Sequence, residues 1–345
     1  MAKKTYKKKS ATKQSSNEKA CQWVTDKVID MMQSQGTDWS KSWRDGTAIV
    51  PRNAKTGRVY GSFLNQLILN SVAQEQGFKS PYWNTYNGWA EMGFQVVGKS
   101  HDAKIFCTFP CYNKDPDENG KTGDQKEKPD YFRNTNLTVF NAEMVKEAVF
   151  ETVTVKENGK EVTKLKTPFV SVIKDNAKTY AELNPVQEKE PETIFEKIER
   201  VEQFIKNTNA IIKHGQKGAF FNPQKDYIGM PDKELFDSPE AYYAVLLHEL
   251  THWTGHKSRL DRLKSNRWGD PLYAYEELIA EMGSAQLSHI LGVSMEPRED
   301  HAIYINHWIQ HLGNDKRGVI DAARESTQAV TFLFDMQPQI IEEAA

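Results

Sequence analysis

The sequence predicts a two-domain α+β protein, with a mixed α/β N-terminal domain and a mainly helical C-terminal domain that carries a small sheet. Three observations lead there. A chain of 345 residues exceeds what one core of ordinary size uses, so two domains are the starting expectation. Charge divides unevenly: residues 1–110 hold 16 Lys+Arg against 8 Asp+Glu, and the remainder 29 against 39. Residues 151–190 are polar and charged, with a hairpin signal at Asn158-Gly159, and separate two regions of regular apolar periodicity. These breaks place a basic tail at 1–20, a first domain at 21–150, a connection at 151–190 and a second domain at 191–345.

The tail carries seven lysines and one acid among small polar residues, a composition that buries too little apolar surface to fold. Val24, Val28, Met31 and Met32 then share one helix face, and Gly36 marks the stop. Phe63 to Ala73 reads as a second helix ending at Gly77. Val96-Val97, Ile105 to Phe109 and Leu137 to Phe140 are strand candidates, separated by a charged loop at 113–130, and Asn141 is placed to cap a short helix.

Three segments of the first domain interleave aromatic rings with cations and turn residues: Trp39 to Arg44, Pro51 to Tyr60, and Pro81 to Tyr86. Rings that stack bases beside Lys and Arg that follow phosphates are what sequence-tolerant single-strand binding requires. By spacing alone, aromatics filling a small core is the stronger reading. Arg52, Lys55 and Arg58 weigh against it, because they sit in a turn-rich stretch with little to bury.

In the second domain, Ile194, Ile198, Val201 and Ile205 mark a helix face. Gly218 to Pro223 and Tyr227 to Pro231 read as two short strands. Ser238, Pro239 and Glu240 then supply a cap, an N1 proline and an acidic N2 residue for the helix containing His248-Glu249-Leu250-Thr251-His252. With 3.6 residues per turn, His248 and His252 lie one above the other and can reach one zinc ion, or another divalent metal. Glu249 is turned off that line and suits the base that takes a proton from the water the metal activates. The apolar flanks argue for a buried helix, where two imidazoles and a carboxylate without partners would be costly.

The third ligand is open at this level. A three-histidine pattern would require histidine at 258, and Ser258 stands there. The helical run from Tyr273 to Ala285 offers Glu276, Glu277 and Glu281. Glu277 and Glu281 are four apart on one face, which suits one ligand and one carboxylate orienting a histidine ring, with Glu277 favoured as ligand. Glu276 points elsewhere and suits a solvated acidic helix start. Helices near Ile303 to Trp308 and Val319 to Phe334 close the chain.

Cys21, Cys107 and Cys111 form neither an even disulfide set nor a metal pair and read as reduced thiols. No run approaches 18 apolar residues and the lysine-rich start lacks an apolar stretch, so the expectation is a cytoplasmic protein without membrane contact.

The stretches Phe236 to Tyr243, His248 to His256, Arg259 to Arg262 and Tyr275 to Glu281 closely resemble the ArdC antirestriction family. Asn53 to Tyr60, Pro81 to Tyr86 and Val139 to Asn141 resemble its N-terminal domain. The resemblance implies a zincin-like metallopeptidase domain with His248, His252 and Glu277 as ligands and Glu249 as catalytic base. It also implies a single-stranded-DNA-binding domain, for which Arg52, Lys55, Arg58, Tyr60, Tyr82, Trp83 and Tyr86 are the expected contacts. The function it implies is protection of the incoming DNA of a plasmid or phage. Two alternatives stay open: a DNA-coating protein whose metal site is structural, and a protease acting on a host protein.

Overall fold

The computed structural model describes residues 15–36, 49–97, 103–112, 130–157, 160–186, 193–263, 271–293, 308–309, 315 and 317–338. Most of the basic tail, the Trp39 to Arg44 segment, the Asn158-Gly159 turn, residues 303–307 and nearly all of the 113–130 loop lie outside the described residues.

Ser15 opens helix α1 (Ser16–Gln35) with a capping box. Its hydroxyl accepts from the Glu18 amide at 3.2 Å, and the Glu18 carboxylate accepts from the Ser15 amide at 2.8 Å. Val24, Val28, Met31 and Met32 are buried along one face, as their spacing predicts. Strand β1 (Arg52–Asn53), helix α2 (Phe63–Gln76), strand β2 (Tyr82–Thr85), helix α3 (Tyr86–Glu91), and strands β3 (Phe94–Val96), β4 (Ala103–Cys111) and β5 (Tyr131–Asn141) follow. The first sheet runs β1-β2-β5-β4, with β4 and β5 antiparallel from Ala103↔Val139 to Cys111↔Tyr131. Leu69 and Ala73 of α2 pack onto it against Trp83, Ile105 and Val139. Asn141 caps a 3-10 turn over Ala142–Met144, accepting from the Glu143 amide at 3.0 Å.

Strands β6 (Val145–Phe150), β7 (Thr152–Glu157), β8 (Lys160–Leu165) and β9 (Ser171–Ile173) form a folded-back ribbon. β6 lies between β3 and β9, and β7 pairs with β8 as the hairpin signal predicts. Tyr180, in the short helix α4 (Tyr180–Leu183), sets its ring edge-on to Trp89 and Tyr82 of the N-terminal half.

Helix α5 (Ile194–Asn207) also starts at a capping box, Thr193 with Glu196, and buries Val201, Phe204 and Ile205. Strands β10 (Ile212–Lys213), β11 (Phe220–Asn222) and β12 (Tyr227–Gly229) make a small sheet in the order β10-β12-β11. Three long helices complete the domain: α6 (Pro239–Thr254), α7 (Pro271–Leu291) and α8 (Gly318–Asp335). The small sheet and α5 cover one side of α6, where Tyr243, Leu246, Leu247, Leu250 and Trp253 are buried.

The two domains share a core. Val24, Val28 and Met32 of α1 and Leu64 and Ile68 of α2 join Leu278, Ile279 and Met282 of α7 in one apolar cluster. Each such side chain contributes about 1.5–3 kcal/mol by leaving water, so this contact sets α7 firmly in place. No helix among the described residues is long and apolar enough to cross a membrane.

A candidate metal centre between two helices

Ser238 fixes the start of α6 by accepting from the Ala241 amide at 3.1 Å, with Pro239 in the first turn. From that start, Leu246, Leu247 and Leu250 turn into the core and His248 and His252 turn toward α7. α7 approaches very closely: a Cβ added to Gly283 would stand 2.5 Å from Thr251 Cγ2. Only a residue without a side chain permits that distance, and it brings the acids of α7 within reach of the histidines.

His248, His252 and Glu277 converge, with one ligand atom of each lying within 4.8 Å of the others. The two Nε2 atoms are 3.1 Å apart, and Glu277 places one oxygen 3.5 Å from His248 Nε2 and the other 3.4 Å from His252 Nε2. A tetrahedron with metal–ligand bonds of 2.0–2.1 Å has edges of about 3.3–3.4 Å, so these separations fit a zinc-sized divalent ion. Behind the rings, Glu281 Oε1 is 3.3 Å from His248 Nδ1 and Glu276 Oε1 is 3.1 Å from His252 Nδ1. The Glu276 carboxylate on His252 Nδ1 favours the tautomer that leaves that ring's Nε2 lone pair directed inward, as a metal-binding histidine requires.

Glu276 corrects the sequence reading. It is 7% exposed, not a solvated helix start, because the Arg262 guanidinium reaches it from the loop after α6. Glu281 lies on the His248 side of the site, buried on α7. Glu249 is 5% exposed on α6, next to His248. His256 is outside the triad: its Nδ1 is 2.7 Å from the Ser258 hydroxyl and its ring stands edge-on to Phe221.

The electrostatics follow from burial and mutual pairing. Burial opposes a charge on His252, but the facing Glu277 carboxylate, with Glu276 behind, overcomes it and holds the pKa up to about 10. Against the upward push of burial, His252 and His248 hold Glu277 far below the ordinary carboxylate range. Burial likewise pushes Glu276 upward, and hydrogen bonds from Arg262 and His252 outweigh it and keep the group low. The proton this pair holds at the convergence point is what a divalent cation would displace.

The residues expected to contact DNA separate into two groups. The Asn53 carboxamide folds the turn after β1, accepting from the Lys55 and Thr56 amides at 3.1 and 3.0 Å. That turn leaves Arg52, Lys55 and Arg58 exposed, with Lys55 paired to Glu91 at 2.6 Å. Tyr86 is 37% exposed and stacks on Phe169 with ring centroids 5.7 Å apart. Tyr82 is half-buried against Tyr180. Tyr60 is also half-buried, and its hydroxyl donates to the Trp83 carbonyl at 3.3 Å. Trp83 is the correction: at 1% exposure its ring lies in the core edge-on to Phe78 and has no face to offer a base.

Comparison with known proteins adds to this geometry. Residues 18–140 match the model of the N-terminal domain of the anti-restriction factor ArdC, and residues 199–325 match that of a zincin-like metallopeptidase. The chain is 32% identical over 323 residues to DNA primase TraC of Escherichia coli, covering 93% of this chain but only 27% of that protein. It is 30% identical over 317 residues to uncharacterized protein y4eC of Sinorhizobium fredii, covering 91% of both. Crystal structures of the antirestriction ArdC protein from plasmid R388, metal-free and Mn(II)-bound, are similar with TM-scores of 0.64 at 29% identity. They cover 92% and 93% of this chain.

Proposed function

The chain belongs to the ArdC antirestriction family, joining the ArdC N-terminal domain to a zincin-like metallopeptidase domain; on that premise we propose that it protects incoming plasmid or phage DNA in the bacterial cytoplasm. In this reading the N-terminal domain binds single-stranded DNA and the C-terminal domain hydrolyses a peptide bond with one zinc ion. The observation that carries the catalytic half is the triad of His248, His252 and Glu277 at tetrahedral separations, with Glu249 on the same helix.

A divalent ion held by the three ligands supplies Lewis acidity, for the scissile carbonyl and for water. Glu249 takes one proton from the attacking water as its oxygen bonds to the carbonyl carbon. When the C–N bond breaks, Glu249 returns that proton to the departing amine, leaving an acid and an amine. In this reading Glu276, on Nδ1 of His252, and Glu281, 3.3 Å behind Nδ1 of His248, orient the two rings so that both would present Nε2 to the ion. On the N-terminal domain, the exposed Tyr86–Phe169 stack offers a ring for bases, and Arg52 and Arg58 offer charge for phosphates.

Replacing Glu249 with Gln tests the catalytic half. Metal content should be unchanged, cleavage of a susceptible protein should fall by at least about 100-fold, and DNA protection should fall with it. Full protection alongside lost cleavage would assign protection to DNA coating alone. Full cleavage would remove Glu249 from the mechanism.

A further inference from the structure

Arg262 stands ten residues beyond His252, past the end of α6, and is 6% exposed along its side chain. Its guanidinium grips Glu276 with two hydrogen bonds, Nε to Oε2 and Nη2 to Oε1, both 2.8 Å. Its other contacts go to the end of α6: Nη2 donates to the Thr251 carbonyl at 2.9 Å and Nη1 to the Thr254 hydroxyl at 3.1 Å. The Arg262 amide donates to the Gly255 carbonyl at 2.9 Å, which turns the chain back over the helix terminus. A Cβ on Gly255 would lie 3.1 Å from Nη2, so glycine at this position leaves the guanidinium its place.

The same Glu276 oxygen that accepts from Nη2 faces His252 Nδ1 at 3.1 Å. A carboxylate held by a bidentate fork cannot rotate, and a buried carboxylate stays ionised only with a cation beside it. Both conditions reach His252 through Glu276. We propose that Arg262 is a positioning residue for the metal, fixing the His252 ring through Glu276 so that Nε2 meets the ion in one orientation. The proposal rests on the metal-site reading above and adds a residue outside the ligand set. Lysine is a poor replacement, because a single ammonium cannot make the parallel pair of hydrogen bonds that stops the carboxylate turning.

Arg259 is a built-in control. It is equally buried, with its side chain 10% exposed, and it pairs with Asp226 and lies over the Trp253 ring at 3.8 Å, but it touches neither a ligand nor Glu276. Zn2+ affinity of the full chain, measured by chelator competition for wild type, Arg262→Lys, Glu276→Gln and Arg259→Lys, separates positioning from general stability. Thermal melting in chelator scores folding for each. Arg262→Lys and Glu276→Gln should bind about 10–100-fold more weakly, and their Co2+ complexes should show displaced visible bands. Arg259→Lys should retain wild-type affinity and bands even where it melts earlier. Affinities of Arg262→Lys and Glu276→Gln within twofold of wild type overturn the proposal, as does equal weakening in Arg259→Lys. A wild-type chain that takes up no metal overturns the metal-site reading together with the proposal, whereas a binding wild type with unaffected variants overturns the proposal alone.

Discussion

Nε2 of His248 and Nε2 of His252 face each other across 3.1 Å in a buried space. Two lone pairs repel at that distance, so a cation or a proton must lie between them. In the absence of metal the proton is the occupant: against the opposing effect of burial, the Glu277 carboxylate, with Glu276 behind, keeps it on His252 and holds the pKa up to about 10. Zn2+ binding at pH 8 should therefore release about one proton from this ring. Calorimetric titration in two buffers of different ionisation enthalpy counts it, and a count of zero would sink this account of the site.

The same shift sets a pH dependence of folding. His252 has a folded pKa above its unfolded value of 6.5, so the stability it contributes is complete below pH 6.5 and is lost as pH rises toward about 10. The chelated chain should become less stable between pH 7 and pH 10, while the Zn2+-loaded chain should hold its stability over that range. Melting temperatures measured across the range with and without chelator compare the two. Equal losses in both would place the titrating group elsewhere.

Gly283 is predicted to be intolerant of alanine. The added methyl would meet Thr251 at 2.5 Å in a packed helix–helix contact, and overpacking of this kind costs about 1–3 kcal/mol. Because α7 carries Glu276, Glu277 and Glu281, the shift should also loosen the metal site. Denaturant unfolding and Zn2+ competition on Gly283→Ala measure both effects. Wild-type values for both would mean that α7 relaxes without moving its acids.

How much of this was legible in the sequence follows from the range of each interaction. The helix carrying His248 and His252 was readable from its cap, its apolar face and the four-residue spacing of the two histidines. Glu277 was readable as a helical neighbour of Glu281. Glu276 was not, because its partner Arg262 lies in a loop and a long-range ion pair leaves no local pattern. Trp83 misled for a related reason. Beside Tyr82 and Tyr86 it resembled a stacking platform, yet strand alternation turns its ring inward under α2. The two-residue strand β10 has no periodicity to detect. The core joining α1 and α2 to α7 was equally hidden, since an apolar helix face does not specify which domain covers it.

Binding by the N-terminal domain should separate along the same line. Replacing Arg52 and Arg58, both exposed, should weaken single-strand binding and reduce the slope of log affinity against log salt by about 0.7 for each phosphate no longer neutralised. Tyr86→Ala should cost about 1–3 kcal/mol of binding with the salt slope kept. Trp83→Ala should instead destabilise the fold by about 3–5 kcal/mol. A salt slope unchanged in the double arginine variant would remove both residues from the DNA surface.

The shared core predicts how the whole chain unfolds. Leu278 and Ile279, 1% and 0% exposed, lie in one cluster with Val24, Val28 and Ile68, so neither domain keeps its apolar surface covered once the other opens. Calorimetry should therefore show one cooperative transition for the intact chain, despite its two family domains. Ile279→Ala should cost about 2–5 kcal/mol and move that single transition without splitting it. Two resolved transitions, only one of them shifted by Ile279→Ala, would mean the domains fold independently and the contact between α1, α2 and α7 is only a docking surface.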